Sequence, residues 1–428
     1  MERVLAILID ALRYDYVNES DTPFIHGLAK QGHKLPLRPV LGYSDAIRAT
    51  IFTGAYPDRH GYWMSYCYSP ETSPFKVFRA LQFVDLIPSD LIRRGLKFLL
   101  SSTLCKLLAK TIGYHRLHLH NIPFSIIDRF DATLRKSMLA ENPFSEYPTI
   151  FDVLRENRIR FAYFDSSILR RRLLAEIAKL NPETKFVMVY LHYIDEVSHR
   201  FGLRSQRFKR ALRSVDAIAR CIVRLVARVW GEEPFVIVFS DHGMVEEKGR
   251  IDLSHLTKLD GFGNDFMFVL DATMMRVWYF NAKARERVKL AIERIGHCRQ
   301  LTNEQKRVLK IEFRGNGYGD EIFLFDPGYI IFPNFYSYIR PKAMHSYDPE
   351  HPTQQGIFII CGDNCPGQVQ EGAVELVDIT PSILSLLAVS TPPTCEGKSL
   401  TCSSKYIPLI MHVGSLHPKL SLRELRHV

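Results

Sequence analysis

Residues 235–244, with the sequence FVIVFSDHGM, join a short apolar run to two polar side chains that can bind a metal ion. The five apolar residues are typical of a strand that is buried on both faces of a parallel sheet. Asp241 and His242 follow immediately, so the sequence places a carboxylate and an imidazole where this strand ends.

The same arrangement recurs at three other places in the chain. Asp10 ends a second apolar run, and Asp195 and His199 follow the apolar residues 186–191. The spacing of four between Asp195 and His199 places both on one face of a helical turn. A further ligand candidate is His345. Asp and His side chains at the carboxyl ends of parallel strands are what a metal-dependent hydrolase needs.

Strands and helices alternate regularly in the middle of the chain. Apolar runs at residues 160–164, 186–191 and 235–239 are separated by helical patterns at 170–180 and 205–230. This alternation predicts an α/β fold with a mostly parallel sheet sandwiched by helices.

The chain length of 428 residues allows one large domain with insertions. We predict a single domain over residues 1–428, with a helical insertion at 62–145 and a small cap at 246–342. Apolar residues make up 46% of the chain and charged residues 24%, which is ordinary for a globular protein.

The net charge of +10 indicates an anionic partner, although a solvated basic surface explains it equally well. The sequence has no nucleic-acid motif, so we expect no specific binding of nucleic acid. The eight cysteines form no CxxC pair, the chain starts without a signal peptide, and no apolar run reaches the length of a spanning helix. We therefore expect a cytoplasmic protein.

Part of the predicted insertion is basic and apolar at once. Between Leu91 and Ile127 there is no Asp or Glu, and the segment carries several leucines. Its basic residues are Arg93, Arg94, Lys97, Lys106, Lys110 and Arg116. A segment of this kind can lie on an anionic membrane surface. Alternatively, it is a lid helix that packs on the main domain and keeps its lysines in water.

Ser44 lies at a predicted junction between an extended segment and a helix. A serine oxygen there meets free amides and the positive end of the helix dipole, which bind phosphate. Arg48, four residues later, shares that helical face and can bind two phosphoryl oxygens. The plain alternatives are a helix-capping serine and a surface arginine.

Taken together, these residues resemble the alkaline phosphatase superfamily, and within it the type I phosphodiesterase/nucleotide pyrophosphatase branch. The matching phrases follow the family's order and span most of the chain: IDALR at 9–13, Ser44 with TGxYPxxHG at 53–61, DxxxH at 195–199, SDHGM at 240–244 and MHSYD at 344–348.

The resemblance implies a site for two divalent metal ions. One ion would be held by Asp10, Asp241, His242 and the oxygen of Ser44. The other would be held by Asp195, His199 and His345. Carboxylate and imidazole ligands without thiolate fit zinc, with manganese as the alternative. Ser44 would attack phosphorus and form a phosphoseryl intermediate, which water then cleaves.

The sequence also departs from the family pattern. The phosphodiesterase branch usually has Thr as nucleophile and Asn three residues later, where this chain has Ser44 and Ile47. The spacing from Ser44 to Arg48 is similar to that of sulfatases. The sulfatase pattern, however, needs Pro where this chain has Ala46. Ser198 stands where the family usually has Gly.

We therefore predict a metal-dependent phosphoester hydrolase, foremost a phosphodiesterase or nucleotide pyrophosphatase. A phosphoryl-group transferase acting on a lipid-linked or glycan substrate and a sulfatase-like hydrolase are the alternative enzymes. A non-catalytic binding protein is the remaining alternative, and the complete set of candidate ligands argues against it.

Overall fold

A computed structural model gives the structure of residues 2–166, 170–362 and 373–400. Its strands are, in chain order, β1 (Val4–Ile9), β2 (His33–Arg38), β3 (Tyr66–Tyr68), β4 (Phe130–Ala132), β5 (Phe161–Asp165), β6 (Phe186–Leu191), β7 (Phe235–Phe239), β8 (Val245–Glu246), β9 (Gly249–Ile251), β10 (Phe266–Leu270), β11 (Met274–Tyr279), β12 (Cys298–Gln300), β13 (Glu321–Phe325), β14 (Tyr329–Ile331), β15 (Ala343–Met344), β16 (Gly356–Cys361) and β17 (Val374–Glu375).

Helices connect most of these strands. They are α1 (Pro23–Gln31), α2 (Ser44–Thr53), α3 (Pro57–His60), α4 (Asp90–Ile112), α5 (Phe124–Ile127), α6 (Ile150–Glu156), α7 (Arg170–Ile177), α8 (Tyr193–Phe201), α9 (Gln206–Trp230), α10 (Ala282–Ile292), α11 (Asn303–Val308) and α12 (Ile379–Leu386).

A seven-stranded sheet forms the centre, in the order β17-β2-β16-β7-β1-β6-β5. Strand β1 pairs in parallel with β7 on one side and β6 on the other, and β6 pairs in parallel with β5. All six residues of β1 are buried, as a strand covered on both faces requires.

Successive residues of β1 point to opposite faces of the sheet. Leu5, Ile7 and Ile9 pack with residues of α1, α7, α8 and α9, whereas Ala6 and Leu8 pack with residues of α2, α6 and α12. Helices therefore cover both faces, and the predicted α/β fold with a mostly parallel, helix-sandwiched sheet is confirmed.

One part of the sheet runs the other way. Strand β16 pairs antiparallel with both β7 and β2, while β2 pairs in parallel with β17. An apolar run indicates burial but carries no information about strand direction, so this reversal could not be predicted.

The predicted insertion and cap share one hydrophobic core. Strands β10, β11, β13 and β12 form a four-stranded antiparallel sheet. Its buried Phe266 and Trp278 belong to the same cluster as Phe75, Phe124 and Phe130 of the insertion. The division into insertion and cap stays a prediction.

None of the helices in the described ranges is both long and apolar enough to cross a membrane.

A side chain from another helix caps the start of α1. Asp216 of α9 is buried, and its carboxylate accepts hydrogen bonds from the backbone N–H groups of Phe24, at 3.1 Å, and Ile25, at 2.8 Å. The amides at a helix start lack partners within the helix, so this carboxylate ties α1 to α9 and keeps both on their face of the sheet.

We expect Asp216→Ala to lower the free energy of unfolding by about 1–3 kcal/mol, because two buried amides lose a charged acceptor. The control is Arg213→Ala, which removes a more exposed ion pair between the same helix and Asp21 and should cost at most about 1 kcal/mol. Urea denaturation measures both. Equal losses in the two variants would contradict the capping role.

Candidate active site

Three neighbouring parallel strands bring the candidate ligands to one edge of the sheet. Asp10 directly follows β1, Asp241 and His242 directly follow β7, and α8, which follows β6, carries Asp195 and His199. Because β1 lies between β7 and β6, these segments begin side by side at the carboxyl ends of the strands.

The loop after β7 is fixed by backbone contacts. The N–H groups of Ala11 and His242 donate to Asp241 Oδ1, at 3.3 and 3.1 Å. Gly243 has no room for a side chain, since a Cβ there would lie 2.1 Å from the carbonyl oxygen of Thr353. This glycine therefore allows the loop to pack against the segment before β16.

Ser44 is the first residue of α2, and its side chain points into the site. Its Oγ lies 3.1 Å from Nε2 of His242. The residue that precedes the helix, in the capping position, is Tyr43 rather than Ser44. The hydroxyl of Ser44 thus contacts a candidate ligand. Ser44 is therefore not the helix-capping serine that the sequence left as an alternative.

The distant His345 is brought back by a short strand pair. Strand β15, which precedes it, pairs with β8, which follows the SDHGM loop. The rings of His345 and His242 are stacked, with centroids 3.7 Å apart and an angle of 9° between the planes. His345 Nε2 lies 3.8 Å from Asp195 Oδ1.

The three candidate histidines share one hydrogen-bonding pattern. Nδ1 of His242 donates to the carbonyl oxygen of Gly243 at 2.9 Å, and Nδ1 of His199 donates to that of Ala343 at 2.8 Å. A carbonyl oxygen only accepts, so each Nδ1 carries the proton and each Nε2 is free to act as a ligand.

In His345, a serine hydroxyl rather than a backbone carbonyl oxygen fixes the proton on Nδ1. The Ser346 hydroxyl donates to the carbonyl oxygen of Gly42, so its oxygen accepts from Nδ1 of His345 at 2.8 Å. Nε2 of His345 is thereby left as the ligand atom. Ser346 is buried and has a positive φ of 68°.

Each of these Nε2 atoms faces carboxylate oxygens. Nε2 of His242 lies 3.2 Å from Asp10 Oδ1 and 3.5 Å from Asp241 Oδ2, and Nε2 of His199 lies 3.1 Å from Asp195 Oδ1. Within the described part of the chain, none of these three carboxylate oxygens has a hydrogen-bond donor. Two lone pairs in contact repel each other, so a positive charge is needed between them.

The pKa values of these groups in the metal-free protein also reflect the missing positive charge between them. Burial raises the pKa of Asp241, and the charge of Asp10 raises it further, to about 8. Burial alone would lower the pKa of His242, but Asp241 and Asp10 raise it to about 10. Burial also acts to raise the pKa of Asp10, yet contact with His242 and Tyr190 lowers it.

These residues form two overlapping groups whose ligand atoms lie within 4.8 Å of one another: Asp10, Asp241 and His242, and Asp195, His242 and His345. Buried carboxylate oxygens without donors, next to imidazole nitrogens with free lone pairs, fit a divalent cation. The predicted ligands Asp10, Asp195, His199, Asp241, His242 and His345 therefore meet in one place together with Ser44.

Arg48 lies behind this group rather than in it. Its guanidinium is bonded to Asp45 and lies over the ring of Tyr190, 4.7 Å from the ring centroid. Tyr190 in turn donates its hydroxyl to Asp10 Oδ2. The positive charge of Arg48 contributes to the low pKa of Asp10.

The family model described as type I phosphodiesterase/nucleotide pyrophosphatase matches residues 4–331. The chain belongs to this family. It is therefore a phosphodiester hydrolase, as the sequence analysis predicted. Type I phosphodiesterases depend on metal ions, and the Asp and His groups described above are able to bind one.

Solved structures of type I phosphodiesterases have the same fold. Murine ectonucleotide pyrophosphatase/phosphodiesterase 5 matches with a TM-score of 0.67 and 15% identity, over 92% of this chain and 96% of that one. An inactive variant of the murine protein in complex with AMP matches with a TM-score of 0.67 and 14% identity, over 92% of this chain and 96% of that one. The human protein matches with a TM-score of 0.67 and 14% identity, over 93% of this chain and 97% of that one.

The residues that hold the candidate ligands in place were not predicted from the sequence. Tyr190 bonds to Asp10, Ser346 bonds to His345, and Tyr43 makes an edge-to-face contact with His345. The Tyr43 hydroxyl also accepts the N–H of Ala272 at 2.9 Å. Each of these residues adjoins a ligand or a strand end, and that adjacency was the only signal in the sequence.

We predict that Ser346→Gly weakens metal binding by about 10- to 100-fold, because His345 loses the partner that fixes its tautomer. The free energy of unfolding of the metal-free protein should fall by about 1–3 kcal/mol, because the carbonyl oxygen of Gly42 and Nδ1 of His345 lose a buried partner, while the backbone itself is not strained by glycine. Calorimetric metal titration and thermal unfolding measure the two quantities.

The matched control is Ser145→Gly, which makes the same substitution at a φ of 54° in an exposed loop. It should leave metal affinity unchanged. If Ser346→Gly binds metal as tightly as the wild type, the hydroxyl does not position His345.

Proposed function

We propose that this phosphodiesterase uses two divalent metal ions and Ser44 as its nucleophile. The observation that carries the proposal is the contact of 3.1 Å between Ser44 Oγ and His242 Nε2, on a nitrogen that also faces two buried carboxylates. A hydroxyl held among metal-ligand candidates is where an activated nucleophile is expected.

One ion would be bound by Asp10, Asp241, His242 and Ser44. The other would be bound by Asp195, His199 and His345. Because His242 Nε2 also lies within reach of the second group, the two ions would be neighbours. The nitrogen and oxygen donors fit zinc, with manganese as the alternative. When bound, such ions neutralise charge on the attacking and leaving oxygens of the phosphoryl group.

The protein's own groups prepare the attack. The helix α2 begins at Ser44, so the positive end of its dipole and its first backbone amides lie beside Oγ and favour a phosphoryl oxygen there. In the reaction, the bond from Ser44 Oγ to phosphorus forms as the bond to the leaving oxygen breaks. Water then cleaves the phosphoseryl group and restores the serine.

We assign Arg48 the role of a fixed positive charge behind the reacting group. Its place over Tyr190, the partner of Asp10, supports this role. The contact with Asp45 holds the guanidinium on α2.

We also propose that the enzyme works in the cytoplasm, on phosphate esters, and at the periphery of an anionic membrane reached through residues 91–127. All six cysteines in the described part of the chain are free thiols, which supports a reducing compartment. An anionic substrate fits the net charge of +10.

We expect Ser44→Ala to reduce turnover of bis-(p-nitrophenyl) phosphate by several orders of magnitude, because the covalent route is lost. The fold should be unaffected, since the hydroxyl does not cap α2. Ser44→Thr keeps a hydroxyl and serves as the matched control, with partial activity expected.

Acid quench with a labelled diester tests the route directly. Label on the peptide that contains Ser44 is the expected result. Full activity of Ser44→Ala would rule out the nucleophile and leave direct attack by water.

A further inference from the structure

Helix α4 has charged and polar residues at several of its most deeply buried positions, although Leu96, Leu100 and Leu108 are also half-buried against the core. Along its buried side lie Arg94, Lys97 and Ser101, followed by Cys105 and Ala109, with exposed fractions between 0 and 7%. A helix on the surface of a globular protein normally turns its apolar side inward and its polar side to water. Here the first half of the buried side is charged and polar.

Specific bonds hold the helix in this orientation. Lys97 Nζ donates to Asp85 Oδ1 at 3.0 Å and to the carbonyl oxygen of Ile122 at 2.8 Å. Arg94 donates to the carbonyl oxygen of Ser337 at 2.6 Å. Rotating the helix to bury its leucines would break these bonds and leave buried polar groups without partners, which is costly.

As a result, several large apolar side chains of α4 are exposed. Leu91, Ile92, Phe98, Leu99 and Leu107 are 82, 59, 55, 60 and 65% exposed. Of the sixteen large hydrophobic side chains that are exposed in the described part of the chain, ten fall within residues 77–112. Such a concentration within one segment of the chain marks an interaction site rather than scattered exposure.

Exposed lysines lie among these leucines. Ile92, Leu99, Lys106, Leu107 and Lys110 follow a helical spacing that puts them on one side of α4, and all five are exposed. We call these five residues the outer stripe. No acidic residue occurs between Leu91 and Ile127 to offset the lysines.

We propose that the outer stripe docks the enzyme on an anionic lipid bilayer, with α4 lying in the plane of the interface. The leucines and the isoleucine enter the boundary between headgroups and acyl chains, and the ammonium groups of Lys106 and Lys110 reach the lipid phosphates. This inference rests on the membrane association proposed above and names the surface that makes it, and it does not depend on Ser44.

The charge pattern selects a bilayer over a second copy of this chain. A symmetric dimer would place the outer stripe of one copy against that of the other. Lys106 and Lys110 would then meet each other, with no acidic residue of the stripe to pair with. An anionic bilayer supplies the opposite charge across the whole stripe.

The same insertion also contacts helix α2, which begins at Ser44. Tyr62 and Phe144 of the insertion pack with Ala46 and Ala49 of that helix.

The test uses the full chain with vesicles of phosphatidylcholine alone and of phosphatidylcholine mixed with phosphatidylglycerol. We expect co-sedimentation with the mixed vesicles only, and release at high salt, because exposed charges are screened beyond about 10 Å at 0.1 M. Leu99→Glu combined with Leu107→Glu should weaken binding at least about tenfold, because two apolar side chains that enter the bilayer are replaced by negative charges that anionic lipids repel.

The matched control is Leu290→Glu with Val308→Glu, two exposed positions outside this surface, which should bind like the wild type. Ser44→Ala should also bind like the wild type, so a failure of the catalytic proposal is distinguishable. Unchanged hydrolysis of bis-(p-nitrophenyl) phosphate by the Leu99 and Leu107 variant shows that it is folded.

Three outcomes would overturn the proposal. The first is equal binding to both kinds of vesicle. The second is equal binding by the outer-stripe variant and the wild type. The third is a stable dimer in sedimentation velocity that the outer-stripe variant abolishes, since the occupant of the surface would then be a second copy.

Discussion

The active site depends on one electrostatic conflict, the contact of His242 Nε2 with the buried carboxylates of Asp10 and Asp241. The bond from Nδ1 to the carbonyl oxygen of Gly243 leaves Nε2 without a proton in the neutral ring. Negative charge and lone pairs then meet in a place that water does not reach. A bound cation resolves the conflict, and a doubly protonated imidazole resolves it in the metal-free protein.

The rest of the fold serves to maintain that arrangement. The order β7-β1-β6 sets the ligands of three strand ends side by side, and the β15–β8 pair returns His345 across about a hundred residues of sequence. The turn between β10 and β11 then ties the site together. Its backbone donates to the hydroxyl of Tyr43, the residue before Ser44, and its Thr273 donates to the carbonyl oxygen of Ser346, the residue after His345.

Much of this could be predicted from the sequence because the determining patterns are local. The continuous apolar runs predicted β6 and β7 with the bounds that the structure has, and the ligand-type residues at strand ends predicted that these side chains come together. Strand β2 was missed because it contains Lys34 and Pro36 and is only partly buried. Its neighbour β17 pairs only with Leu37 and Arg38, so the ladder leaves room for that proline.

Features that depend on distant contacts could not be predicted. Tyr190 lies opposite Leu8 in the parallel register, and Asp10, two residues beyond Leu8, is on the same face of the sheet. The sequence of neither strand determines this register. The orientation of α4, with Arg94 and Lys97 turned inward, depends on hydrogen bonds to Asp85, Ile122 and Ser337, which all lie outside the helix. Composition alone indicated a basic apolar helix without telling which side faces outward.

The central claim is that the buried negative charge is balanced by two metal ions. Anomalous X-ray diffraction from crystals of the protein purified with zinc tests it most directly. The account predicts two peaks, one in contact with Asp10, Asp241 and His242, and one in contact with Asp195, His199 and His345. A map without a peak at these residues, from a protein that hydrolyses phosphodiesters at its full rate, would contradict it.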